Sequence, residues 1–125
     1  MSLHYRFFIA GALFALAGMF LGIYMGMKED FTLAPVHAHI NLVGWASLML
    51  FGLYYRGNPA ASARPLAQWQ FWIAVLGMLL LVPGIAGAVT QNGSLAVLTI
   101  PGSLLTLISM LIFLWTLWQA SRTHR

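Results

Sequence analysis

The sequence contains no cysteine and very few charged residues. Without cysteine, the chain has no disulfide, no thiolate metal site and no cysteine nucleophile. Charged residues make up 6% of the chain, whereas soluble domains average about 25%. Hydrophobic residues make up 61%, which excludes intrinsic disorder, because disordered chains combine low hydrophobicity with high charge. The composition of these 125 residues therefore predicts a small integral membrane protein.

The net charge of +4 comes from six basic and two acidic residues. The basic residues are Arg6, Lys28, Arg56, Arg64, Arg122 and Arg125. Nucleic-acid binding requires basic side chains that are clustered on one face, and here apolar runs separate them. We therefore exclude a nucleic-acid partner and interpret these residues as signals of membrane topology.

Four apolar stretches are each long enough to cross a lipid bilayer, which takes roughly 20 apolar residues. They cover about residues 7–27, 36–55, 68–90 and 95–118. A spanning segment must satisfy its own backbone hydrogen bonds, and the alternating pattern typical of a membrane barrel does not occur, so these stretches are helices. The sequence thus predicts an all-α, integral membrane four-helix bundle that forms one domain over residues 1–125.

The short connections make neighbouring helices antiparallel. Before the second span, Asp30 or Thr32 is expected to cap the helix and Pro35 to lie in its first turn. Between the third and fourth spans, the Asn92-Gly93 pair predicts a tight turn.

The distribution of basic residues predicts the orientation of the protein in the membrane. Every arginine falls on one side, and the other side carries only Lys28, next to Glu29 and Asp30. Cytoplasmic loops are rich in Lys and Arg. We therefore expect a multi-pass protein of a bacterial inner (cytoplasmic) membrane with both termini in the cytoplasm.

Two of the four histidines, His37 and His39, open the second span. Ionisable side chains within a membrane helix are costly and usually functional; the alternative is an interfacial role with headgroups or loop carbonyls. Residues i and i+2 of a helix lie about 200° apart, so the two rings cannot chelate one ion together. No other span contains histidine, cysteine or a carboxylate, so a second ligand is a methionine or comes from another copy. His4 and His124 are interpreted as solvated.

The residues after the histidines complete the candidate cofactor site. Asn41 follows His37 by four residues, on the same face, and is expected to form a hydrogen bond near it. Gly44 leaves room beside the helix for a flat ligand. Trp45 lies about 12 Å below His37, too deep for an interfacial anchor, and its simpler interpretation is core packing.

The third and fourth spans each contain a Pro-Gly pair, Pro83-Gly84 and Pro101-Gly102. Proline kinks a helix and glycine permits close approach. The two pairs predict either a cavity beside the histidines or ordinary bends at packing contacts.

A row of small residues at Gly18, Gly22 and Gly26 marks one face of the first span. Small residues at four-residue spacing let membrane helices pack closely. Their partner is either another helix of the same chain or a second copy.

The stretch from His37 to Trp45, His-Ala-His-Ile-Asn-Leu-Val-Gly-Trp, continuing to Tyr54, resembles a helix of the catalytic subunit of heme–copper oxidases and nitric oxide reductases. It resembles both the second helix of that subunit, where a histidine ligates the low-spin heme, and the tenth, where a His-x-His pair serves two hemes. It is still more similar to the small four-helix proteins described as subunit-I-like.

That resemblance has implications for fold, cofactor and assembly. The family arranges twelve helices as three arcs of four around a pseudo-threefold axis, so this chain would supply one arc and assemble as a homotrimer. His37 and His39 match heme-ligating positions. One histidine of each copy would meet the other histidine of its neighbour across a heme b.

The chain departs from the family in its third and fourth spans, which contain no histidine. A copper–heme binuclear centre cannot be built from these residues, so oxygen reduction is not expected. A six-coordinate heme favours electron transfer or sensing, and a heme store is a related possibility; the redox partner is not indicated. Two alternatives remain: a non-heme copper or zinc site on His37 and His39, and a cofactor-free structural or assembly protein.

Overall fold

The computed structural model describes residues 1–123, and His124 and Arg125 lie outside the described residues. The described residues form helices and no strand. The four long helices are α1 (Leu3–Lys28), α2 (Ala34–Gly57), α3 (Pro65–Val89) and α4 (Thr99–Thr123). One-turn helices at Pro59–Ser62 and Gly93–Ala96 precede α3 and α4. Four helices are long and apolar enough to span a membrane, which confirms the predicted all-α four-helix membrane architecture.

The loop before α2 differs from the sequence prediction. The N-cap residue is Leu33, which makes no side-chain capping bond, so the predicted cap by Asp30 or Thr32 is wrong. The Asp30 carboxylate instead accepts bonds from the Thr32 backbone N–H at 3.0 Å and from its hydroxyl at 2.6 Å. These residues therefore form a separate hydrogen-bonded turn before the helix begins. Pro35 lies in the first turn of α2, as predicted.

The helices associate mainly as two pairs, α1 with α2 and α3 with α4, and α3 also contacts the first pair. The backbones of α3 and α4 touch at two glycines. A Cβ added to Gly84 would lie 2.5 Å from the Thr99 nitrogen, and one added to Gly102 would lie 2.6 Å from the Leu81 nitrogen. The glycines of both Pro-Gly pairs therefore lie at close contacts between α3 and α4, and neither pair lines the groove beside His39.

Aromatic side chains fill the end of the bundle where α1 starts and α4 ends. They are Phe7, Phe51, Tyr55, Phe71 and Phe113. Phe7 has no exposed surface, and its ring centroid lies 5.1 Å from that of Phe71 in an edge-to-face arrangement. Such pairs contribute about 0.5–1.5 kcal/mol beyond the area that they bury. Helix α4 reaches α2 here, through Phe113.

Candidate cofactor site on the second helix

The candidate residues lie on both sides of a change in helix type within α2. His37 and His39 belong to the α-helical first part, and Asn41, Gly44 and Trp45 belong to a π-helical stretch, Ile40–Ala46. π-Helical turns are rare and are frequent at functional sites.

Ser47 closes the π-helical stretch. Its hydroxyl donates to the carbonyl oxygen of Leu42, five residues earlier, at 2.8 Å. A π-helix bonds residue i to residue i+5, so this side chain reinforces the same spacing. Sequence analysis missed the π-helix, because no proline or polar insertion marks it in the sequence.

His37 is held between Asn41 and helix α1. The Asn41 amide nitrogen lies 3.2 Å from His37 Nε2 and 3.0 Å from the His37 carbonyl oxygen, which confirms the expected contact. An amide nitrogen can only donate, so Nε2 accepts and the neutral ring carries its proton on Nδ1. The Nε2 lone pair is therefore engaged within the chain.

The glycine row of α1 makes room for this pair. A Cβ added to Gly18 would lie 2.5 Å from Asn41 Oδ1, and one added to Gly22 would lie 3.1 Å from His37 Nε2. Among the described residues, Gly26 has no such neighbour within 4 Å. Of the two partners expected for the row, the same chain's α2 is the one that Gly18 and Gly22 meet.

His39 has a different environment. Its Nδ1 atom lies 2.7 Å from the Pro35 carbonyl oxygen. A carbonyl can only accept, so Nδ1 carries a proton, and in the neutral form of the ring Nε2 keeps its lone pair. The half-exposed ring lines a shallow groove of about 110 Å³ with Ala38, Leu42 and Val43. Metal-ligating histidines usually donate their second ring N–H to a carbonyl or carboxylate in this way.

Sequence analysis also missed the role of the Pro35 carbonyl. Pro35 precedes His39 by four residues, and side chains commonly reach the backbone carbonyl one turn earlier in a helix. That spacing was the available signal.

Gly44 and Trp45 lie apart from the histidines. A Cβ added to Gly44 would lie 2.9 Å from the Phe14 ring and 3.3 Å from the Met78 methyl group, so the space beside Gly44 is filled by side chains of α1 and α3. Trp45 is 44% exposed on the outside of α2, so its interpretation as a core residue is wrong for the single chain. Their roles in cofactor binding stay predictions.

The two histidine rings do not converge within one chain. His37 faces α1, and His39 faces the outer groove. Among residues 1–123, no group of three or more histidine, cysteine or carboxylate side chains is placed to hold a metal ion. A site that uses both histidines therefore needs a further ligand from outside the described chain.

Comparison of the chain with known protein families, with curated proteins and with solved structures finds no match. The site is therefore interpreted from its own geometry, and the likeness to the oxidase helix stays a prediction.

Proposed function

We propose that this protein is a membrane-bound b-type heme protein in which His39 is an axial ligand of the iron. The observation that carries the proposal is the bond from His39 Nδ1 to the Pro35 carbonyl, at 2.7 Å. It fixes the tautomer and directs the basic Nε2 atom away from its own helix backbone. Heme bound there would supply an iron suited to electron transfer, or to sensing where a coordination position stays open.

The groove around His39 leaves the imidazole accessible to a heme but is too small to enclose a whole heme. Its volume is about 110 Å³, whereas ligand pockets usually measure roughly 300–1,000 Å³. The groove opens on the outside of α2, next to the exposed side chain of Leu42. We therefore propose that a second copy covers the heme, in a homo-oligomer, with a trimer favoured by the resemblance to one four-helix arc.

His37 has a separate role in this proposal. Its Nε2 accepts from Asn41 and abuts Gly22, so it holds α1 against α2. The arrangement expected from the oxidase resemblance, with His37 of one copy and His39 of the next on the same iron, requires the bond between Asn41 and His37 Nε2 to break. The two arrangements make different predictions for the variants below.

The visible absorption spectrum of protein purified in detergent, after expression with a heme supply, tests the proposal. We expect a heme spectrum for the wild type and for His37→Ala, and its loss in His39→Ala. His4→Ala is the matched control, because His4 lies at the start of α1, away from the site. Circular dichroism checks that each variant keeps its helices.

Each other outcome selects a named alternative. Loss of the spectrum in both His37→Ala and His39→Ala supports ligation by both histidines. A spectrum that survives in both variants, or a colourless wild type, overturns the proposal. Metal analysis of a colourless protein then separates a copper or zinc site from a cofactor-free structural protein.

The proposed assembly has its own measurement. Native mass spectrometry in detergent should show an oligomer, with heme retained between copies. A monomer that still holds a six-coordinate heme would refute the shared site.

A further inference from the structure

A narrow crevice lies between α2, α3 and α4, away from the His39 groove. Three residues with hydroxyl side chains line it: Ser47 from α2, and Thr106 and Ser109 from α4. Met78 of α3 forms part of the apolar wall. The volume of the crevice is about 20 Å³, and a single water molecule needs roughly 10–15 Å³ of such space.

Two of the three hydroxyl protons are already used. The Ser47 hydroxyl donates to the Leu42 carbonyl oxygen at 2.8 Å, and the Thr106 hydroxyl donates to the Gly102 carbonyl oxygen at 2.6 Å. Each of these oxygens can therefore only accept a further bond.

The third hydroxyl has no hydrogen-bond partner within the described part of the chain. Ser109 is 2% exposed, and its Oγ atom makes no hydrogen bond to any of residues 1–123. Buried polar groups are normally hydrogen-bonded, and an unpaired one needs an explanation such as an ordered water. The crevice thus combines one free donor with two oxygens that can only accept.

We propose that the crevice binds one water molecule, which accepts from Ser109 Oγ and donates to Ser47 Oγ and Thr106 Oγ1. These three bonds use both protons of the water and one of its lone pairs, which is the usual number for a buried water. The water links α4, which packs mainly against α3, to the π-helical part of α2. It also supports that part directly, because Ser47 closes the π-helical stretch.

Radiolytic oxidation of the purified protein tests this proposal independently of heme. Hydroxyl radicals that form from a bound water oxidise the methionines beside it, and Met78 and Met110 both line the crevice. Met110 is 48% exposed and can be oxidised from outside the crevice, so buried Met78 is the reporter. Met78 is 1% exposed and lines the crevice, whereas Met25 is 5% exposed and is not among the residues that line it. Met25 lies three residues from the end of α1. We expect Met78 to be oxidised several-fold faster than Met25.

Substitution of the free donor completes the test. Ser109→Ala removes the hydroxyl that anchors the water, so Met78 oxidation should fall to the level of Met25. Ser103→Ala is the matched control, since Ser103 is an exposed serine on the same helix, and it should leave the oxidation of Met78 unchanged. Equal oxidation of Met78 and Met25 in the wild type overturns the proposal. An excess at Met78 that survives Ser109→Ala also overturns it.

Discussion

The Nδ1 atom of His39 lies 2.7 Å from the carbonyl oxygen of Pro35, one helical turn earlier. This bond fixes the tautomer of the neutral ring, because the carbonyl can only accept. It also leaves Nε2 facing the groove that His39 shares with Leu42. The second hydrogen bond of a ligating histidine sets the orientation and the basicity of its ring. The bond to Pro35 therefore pre-orients His39 as one axial ligand of the proposed iron site.

Free imidazole should take the place of a deleted His39 side chain as the iron ligand. His39→Gly removes the imidazole but leaves the groove, so we expect the heme spectrum to disappear and to return when imidazole is added. The visible spectrum checks this at increasing imidazole concentration. His37→Gly should keep its spectrum without imidazole, because its side chain bonds to Asn41. Failure of imidazole to restore the His39→Gly spectrum would remove His39 from the iron site.

The glycines of the α1 row should differ in how well each tolerates an added methyl group. In Gly18→Ala, the new Cβ meets Asn41 Oδ1 at 2.5 Å, so Asn41 must shift and weaken its bond to His37. Overpacking of this kind costs about 1–3 kcal/mol. Gly26→Ala is the matched control because no described residue would lie within 4 Å of its new Cβ, and the better helix propensity of alanine should add up to about 1 kcal/mol of stability. Unfolding in mixed detergent micelles measures both free energies; equal effects would contradict the α1–α2 contact.

Loss of one partner of the buried Tyr55–Gln70 hydrogen bond should cost more stability than loss of both partners. The Tyr55 hydroxyl donates to Gln70 Oε1, and Gln70 has no exposed surface. Tyr55→Phe leaves that oxygen unpaired, which costs about 1–3 kcal/mol. The double variant, with Gln70→Leu added, removes both polar groups. It should therefore unfold at a higher fraction of denaturing detergent than Tyr55→Phe alone. Tyr5→Phe, at a 53% exposed position, should have no effect; equal stability of the single and double variants would argue against the pair.

The pKa of Asp30 should depend on Thr32. The Thr32 hydroxyl, and then its backbone N–H, donate to the Asp30 carboxylate and hold its pKa below the usual value. A lowered pKa means that the turn is stabilised above the unfolded-state pKa and loses this stabilisation as the pH falls through the folded-state pKa. Thr32→Val removes the hydroxyl bond, so the pKa of Asp30 should rise in an NMR titration. Ser94→Ala, in the one-turn helix before α4, should not change the pKa of Asp30. An unchanged pKa in Thr32→Val would contradict the hydrogen bonds of this turn.

Fusion of reporters tests the orientation proposed from the basic residues. A reporter fused after Arg125 should be cytoplasmic, and one placed at Asn92 should lie on the outer side. The reverse pattern would show that Arg56 and Arg64 do not face the cytoplasm, and it would place the histidines near the cytoplasmic surface.

The sequence alone determined the number and type of the membrane helices. A segment in lipid must pair its own backbone groups, so length and hydropathy were enough to predict four helices. The i, i+4 spacing also predicted that Asn41 meets His37, because that contact lies within one helix and depends on no neighbour.

Only the tertiary structure decided the remaining features of the site. The sequence could not show that Gly22 receives His37 or that Phe14 fills the space beside Gly44, because those contacts depend on how α1 packs against α2. The π-helical stretch Ile40–Ala46 was equally hidden. Its residue types suit an ordinary α-helix, and the change of register follows from the packing of whole helices. Local spacing therefore predicts contacts within a helix, whereas the direction that each ring faces depends on the neighbouring helices.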